Sequence, residues 1–135
     1  MKDFHSNIKV VHAITPAAVG TTGIAGGKLS AAIDRRGYDA VEFIINSGAS
    51  ATVADTITPV VYEAAATNDS FTSVAAADLI GDETALTLTE AKSKSIGYRG
   101  NKRYVKIRLY GTGTATALVA ATAILAKPDI APVAT

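Results

Sequence analysis

Few side chains in this sequence are placed to do acid–base or metal chemistry. The two histidines, His5 and His12, lie an odd number of positions apart, which on a strand puts them on opposite faces and away from a shared metal. There is no cysteine, and that removes disulfides, thiolate metal ligands and cysteine nucleophiles together. No Gly-x-Ser-x-Gly elbow occurs, nor any carboxylate pair at a catalytic spacing. Asp78, Asp82 and Glu83 offer oxygens for Ca²⁺ but lack the alternation of a calcium loop, so they read as a solvated acidic loop. The glycine-rich stretch through Gly20, Gly23, Gly26 and Gly27 reaches Lys28 without the Lys-Ser/Thr ending and following helix of a phosphate loop. It reads as a surface loop or arm. The expectation is a protein that is not an enzyme, with no catalytic residue, cofactor or metal.

Charge is the more informative chemistry. The net charge is only +1, yet the signs are sorted along the chain. From Gly37 to Ala91 there is no Lys or Arg, while Asp39, Glu42, Asp55, Glu63, Asp69, Asp78, Asp82, Glu83 and Glu90 are present. From Lys92 to Arg108 the sense reverses, with Lys92, Lys94, Arg99, Lys102, Arg103, Lys106 and Arg108 and no acid. Three readings follow: neutralisation between neighbouring strands of one fold, attraction between copies, or a basic stripe interleaved with Tyr98, Tyr104 and Tyr110 that contacts nucleic acid. The sequence pI near 8.0 speaks against the third, and no nucleic-acid partner is expected. In the second reading the contact residues are Arg99, Lys102, Arg103 and Tyr98.

These residues need strands to carry them. Gly100-Asn101 suits a tight two-residue hairpin turn. Beyond it Val105, Ile107 and Leu109 alternate with Tyr104, Lys106, Arg108 and Tyr110, the period of a strand with one buried face. Tyr38 to Asn46 alternates likewise, with Val41, Phe43 and Ile45 inward. Ile8 to Ile14 reads as a strand with Ile8, Val10 and Ile14 on one face, ended by Thr15-Pro16. Lys28 to Asp34 reads as a short strand. Ile57 to Ala65 is another, with Val60, Tyr62 and Ala64 toward the core and Pro59 demanding an edge or a bulge. Thr67-Asn68-Asp69-Ser70 turns it into a short return strand, Phe71 to Val74. Ala75 to Ile80 suits a single helical turn, and Leu86-Thr87-Leu88 a strand. Thr114 to Ala126 mixes helix and strand formers, but its lack of charge suits a central strand covered on both sides.

The fold class is therefore all-β: a single-domain antiparallel β-sandwich, jelly-roll-like, spanning residues 1–135 with extended terminal arms at 1–7 and 129–135. A chain of 135 residues with 48% apolar content can bury a core, although one rich in Ala buries little area per position. The start Met1 to Asn7 is polar and precedes no apolar run of the kind a secretory signal uses, so export by that route is not expected. The apolar run Ala117 to Ala126 falls short of the roughly 20 residues of a membrane span, so no membrane partner is expected.

Several segments carry a resemblance. Asn7 to Val11, Ala32 to Tyr38, Asn68 to Leu79, Gly97 to Val105, Lys127-Pro128 and Ala131-Pro132 together resemble a family of small virion structural proteins encoded among the head genes of tailed bacteriophages and prophages. The resemblance implies a capsid decoration or cement protein in many copies on the virion surface, made in the host cytoplasm. It implies the major capsid protein as partner and self-association as a homo-oligomer, expected to be a trimer. A head–tail or tail-assembly role is a further alternative. At fold level, the order of Tyr62-Glu63, Asn68 to Val74 and Arg103 to Ile107 is similar to discoidin-like sugar-binding sandwiches. That implies as alternative a carbohydrate- or host-surface-binding module displayed on the virion. The chain has no Trp, and no aromatic loop platform is legible in it.

Overall fold

In the computed structural model, residues 3–19, 24–50, 55–112 and 117–132 are described. Among the described residues eleven strands run β1 (Ile8–Ala18), β2 (Lys28–Leu29), β3 (Ile33–Asp34), β4 (Tyr38–Ser47), β5 (Thr56–Ala64), β6 (Thr72–Ser73), β7 (Leu79–Ile80), β8 (Leu86–Thr87), β9 (Lys92–Tyr98), β10 (Tyr104–Thr112) and β11 (Leu118–Pro128). They form two antiparallel sheets facing each other as a sandwich. One has the order β1-β11-β4-β9-β7; the other runs β2-β10-β5-β6, with β3 also on β10 and β8 also on β5.

The inward residues of the long strands alternate as their sequences require. Val41, Phe43 and Ile45 from β4, Ile96 and Tyr98 from β9, Val105, Ile107 and Leu109 from β10 and Val119, Ala121, Ala123 and Leu125 from β11 form one core. Each fully buried Val, Leu, Ile or Phe contributes about 1.5–3 kcal/mol of transfer free energy. The alanines of β11 contribute less and let the sheets approach.

Four expectations are corrected. On β5 the buried residues are Ile57, Pro59, Val61 and, as expected, Ala64, while Val60 and Tyr62 stand on the outer face opposite Arg108 and Lys106. Both alternating sets on that strand are apolar enough to be core, so period alone did not choose between them. Pro59 faces a gap between β8, which pairs with Thr56 and Ile57, and β6, which pairs with Tyr62 and Glu63; there the missing N–H costs no ladder bond. On β1 the pairing slips between His12 and Ile14, so Ile14 is buried while Val10 is 62% exposed. The strand also runs through Thr15-Pro16 to Ala18.

Third, Tyr98 and Tyr104 are not the arms of a hairpin: β9 and β10 lie in different sheets, and residues 99–103 cross from one to the other. Fourth, β11 is a central strand between β1 and β4, but only one of its faces enters the core; Ala120, Thr122, Ile124 and Ala126 on the other face are half-buried. Lys28 to Asp34 resolves into β2 and β3, both paired to β10, and Ala76–Asp78 forms a single 3-10 turn. Of the terminal segments, His5–Asn7 forms a 3-10 turn and Asp129 N–H donates to Gly37 O at 2.8 Å. Residues 1–2 and 133–135 of the expected arms, and 20–23 of the glycine-rich loop, lie outside the described residues.

Candidate functional site

The outer face of β10 presents Tyr104, Lys106, Arg108 and Tyr110 because Val105, Ile107 and Leu109 are committed to the core. On the neighbouring strands the same face carries Tyr62 opposite Lys106, Val60 opposite Arg108 and, on the other side of β10, Leu29 opposite Arg108. Ile24, from the 3-10 turn ahead of β2, and Phe71, ahead of β6, rise beside them. Together Ile24, Leu29, Tyr62, Phe71, Lys106 and Arg108 line a groove of about 280 Å³.

Cations and rings interlock in this groove. Lys106 Nζ lies 4.1 Å from the centroid of the Phe71 ring, and the Arg108 guanidinium lies 5.9 Å from that of Tyr62. Arg108 Nη1 donates to Ile24 O at 2.6 Å, which ties the turn ahead of β2 to the sheet. Arg108 Nε is buried and has no hydrogen-bond partner among the described residues. The surface is thus mostly apolar and aromatic with a few strong N–H donors, a composition suited to holding a small or elongated ligand in one orientation.

The four residues expected to make contacts lie elsewhere, at the crossover between the sheets. Tyr98 is buried at 2% exposure, and its hydroxyl donates to Glu63 Oε2 at 2.5 Å and accepts from Lys102 N–H at 3.0 Å. Burial, and then the Glu63 carboxylate, push its pKa up to about 12. Arg99, Lys102 and Arg103 are exposed on the crossover. Arg99 Nε donates to Ala77 O at 2.9 Å, and Arg103 makes a two-pronged pair with Asp34, at 2.9 Å from Nε and 2.7 Å from Nη2. That pair holds the Asp34 carboxyl below its usual range. A polar hollow of about 220 Å³ lies at this end, beside Arg35, Arg36, Asn101 and Arg103.

Across the sorted charge segments, Lys94 Nζ bonds Asp82 Oδ1 at 2.7 Å inside the fold, and the Asp82 carboxyl is held well below its usual range by Lys94 first and Thr84 second. The structure therefore joins the basic and acidic segments within one chain at this pair. Among the described residues no group of three or more His, Cys, Asp or Glu is placed to hold a metal ion, and no helix is long and apolar enough to cross a membrane.

The groove residues were missed in the sequence because their two aromatic members come from different places. Tyr62 reads from sequence as a core residue, and Phe71 as the start of the short strand that returns along Ile57 to Ala65, a pairing that β5 and β6 make. The alternation of Lys106 and Arg108 was visible, but not the rings that β5 and the segment before β6 bring to them.

No protein-family model matches the chain, and no curated protein matches it. Among solved structures, the chain is similar to the N-terminal CBM22-1–GH10 modules of Clostridium thermocellum endo-1,4-β-D-xylanase 10B complexed with xylohexaose. Identity is 14% and the TM-score 0.49, over 98% of this chain and 29% of that one. It is also similar to the N-terminal cellulose-binding domain of Cellulomonas fimi β-1,4-glucanase C, at 13% identity and a TM-score of 0.41, over 95% of this chain and 82% of that one.

Proposed function

We propose that this protein is a non-catalytic binding module that takes an extended carbohydrate in the groove on the outer face of β10. The observation that carries the reading is the meeting of Tyr62 and Phe71 with Lys106 and Arg108 on one sheet face. Sugar rings offer C–H faces that rest on aromatic and aliphatic side chains, while their hydroxyls accept from fixed N–H donors; Tyr62, Phe71, Ile24 and Leu29 supply the first, Lys106 and Arg108 the second. Among the described residues that line the groove there is no carboxylate, and so not the pair that glycoside hydrolysis uses, which supports binding as its chemistry. The test is titration of the protein with linear oligosaccharides, comparing the native chain with Tyr62→Ala. Loss of binding with an unchanged melting curve supports the site; equal binding by the variant removes it.

A second reading is attachment to a capsid shell as a decoration protein. It is supported by the outer face of the first sheet, where Ile8, Val10, Ile124, Ala126 and Ile44 lie among His12, Thr122 and Glu42, and Val10 is 62% exposed. That face is on the opposite side of the sandwich from the groove, so one module could attach by the first sheet and bind by the second. Counting copies per particle, and locating them on the shell, tests this reading.

A further inference from the structure

We infer that the groove selects an acidic oligosaccharide, one whose sugar units carry carboxylates; this rests on the carbohydrate-binding reading above. Among the described residues that line it, the charged groups are both cations, Lys106 and Arg108, and none is an acid. Elsewhere in the fold two cations are paired with carboxylates, Arg103 with Asp34 and Lys94 with Asp82. Among the described residues neither Lys106 nor Arg108 has an ion-pair partner.

Arg108 is also incompletely satisfied. One of its terminal nitrogens is spent on Ile24 O, while Nε is buried with no acceptor among the described residues. A buried N–H of a charged group without a partner is costly, and an anionic oxygen entering the groove offsets that cost through the guanidinium charge and its remaining terminal donors, not by reaching the enclosed Nε. A carboxylate set on a pyranose ring brings that oxygen together with a C–H face for Tyr62 or Phe71. A neutral sugar brings only the second. A nucleic-acid strand fits less well, because it needs a track of cations along successive phosphates, and here two cations stand in a chain of net charge +1.

The experiment is calorimetric titration of the full chain with a linear hexauronate, a neutral hexaose and a single-stranded oligonucleotide, at low and at high salt. The expected result is hexauronate binding about tenfold or more tighter than neutral hexaose, weakening as salt rises. Lys106→Gln and Arg108→Gln should each lower hexauronate affinity by about tenfold and lower neutral-hexaose affinity by clearly less, so that the ratio between the two ligands falls. Melting curves accompany each variant, and Lys106→Gln alone carries the test if loss of the Ile24 bond unfolds Arg108→Gln. Equal affinity for neutral and acidic hexaoses, with no effect of Lys106→Gln, overturns the acidic preference and leaves the carbohydrate reading standing. Failure to bind either hexaose overturns both. Oligonucleotide binding tighter than hexauronate binding overturns the inference in favour of a nucleic-acid surface.

Discussion

Tyr98 reaches from β9 across the sandwich to Glu63 on β5, with its hydroxyl 2.5 Å from Oε2, so one side-chain bond spans the two sheets at the crossover. The neutral phenol is the form that the fold stabilises, because burial and then Glu63 raise its pKa from 10.0 to about 12. The contribution is complete below the unfolded value near 10.0 and is lost as pH rises through about 12. Alkaline unfolding of the native chain should therefore steepen in that window, and Tyr98→Phe should remove this part of the decline. At neutral pH the same variant should cost about 1–3 kcal/mol, since Glu63 and Lys102 N–H lose their partner. A variant with an unchanged alkaline profile would place the titration elsewhere.

Ile107 is fully buried at the centre of β10. Ile107→Ala should cost about 2–5 kcal/mol in denaturant unfolding followed by circular dichroism. The register of β5 is checked by a pair: Val61→Ala should cost clearly more than Val60→Ala. The reverse order would return Val60 to the core.

Asp34 and Asp82 have carboxyls held below the ordinary value of 3.8, Asp34 chiefly by its bond from Arg103 and Asp82 chiefly by Lys94. A depressed folded pKa means stability that is present above the unfolded value and lost as pH falls through the folded one. Acid titration should show this loss below about pH 4 in the native chain, and a double Asp34→Asn, Asp82→Asn variant should show less of it.

The charge reversal Arg99→Glu, Lys102→Glu, Arg103→Glu breaks one exposed ion pair, to Asp34, and the Arg99 bond to Ala77 O, both in solvent-screened positions where such contacts contribute little. The variant should melt close to the native chain. A collapse of melting would show that the crossover charges hold the domain together.

A Cβ at Gly100 would overlap the ring of Tyr98. Gly100→Ala should therefore cost about 1–3 kcal/mol through displacement of that ring, and Tyr98→Ala in the same chain should recover part of the loss.

The long strands were legible because their alternation leaves one apolar face: Val41, Phe43 and Ile45, then Val105, Ile107 and Leu109, were placed inward by period alone. Faces failed where both alternating sets are apolar, as for Val60 and Val61, or where a bulge shifts the phase, as between His12 and Ile14. Gly100-Asn101 has a hairpin's composition, yet it lies in a crossover, since turn chemistry does not say which sheet the next strand joins. The groove was hidden for a related reason: Tyr62 and Phe71 meet Lys106 only once β5 and β10 are paired.

The pairing of β1 with β11 and of β11 with β4 sets a sequence of events for folding. Residues near position 8 find their neighbours near position 126, so β1 waits unpaired until β11 has left the ribosome. Loop closure over such separations precedes the contacts that reward it, which places this domain among topologies that fold in milliseconds to seconds rather than microseconds. Until β11 inserts, β1 and one side of β4 are open edges, and the nascent chain has its greatest tendency to aggregate at that stage.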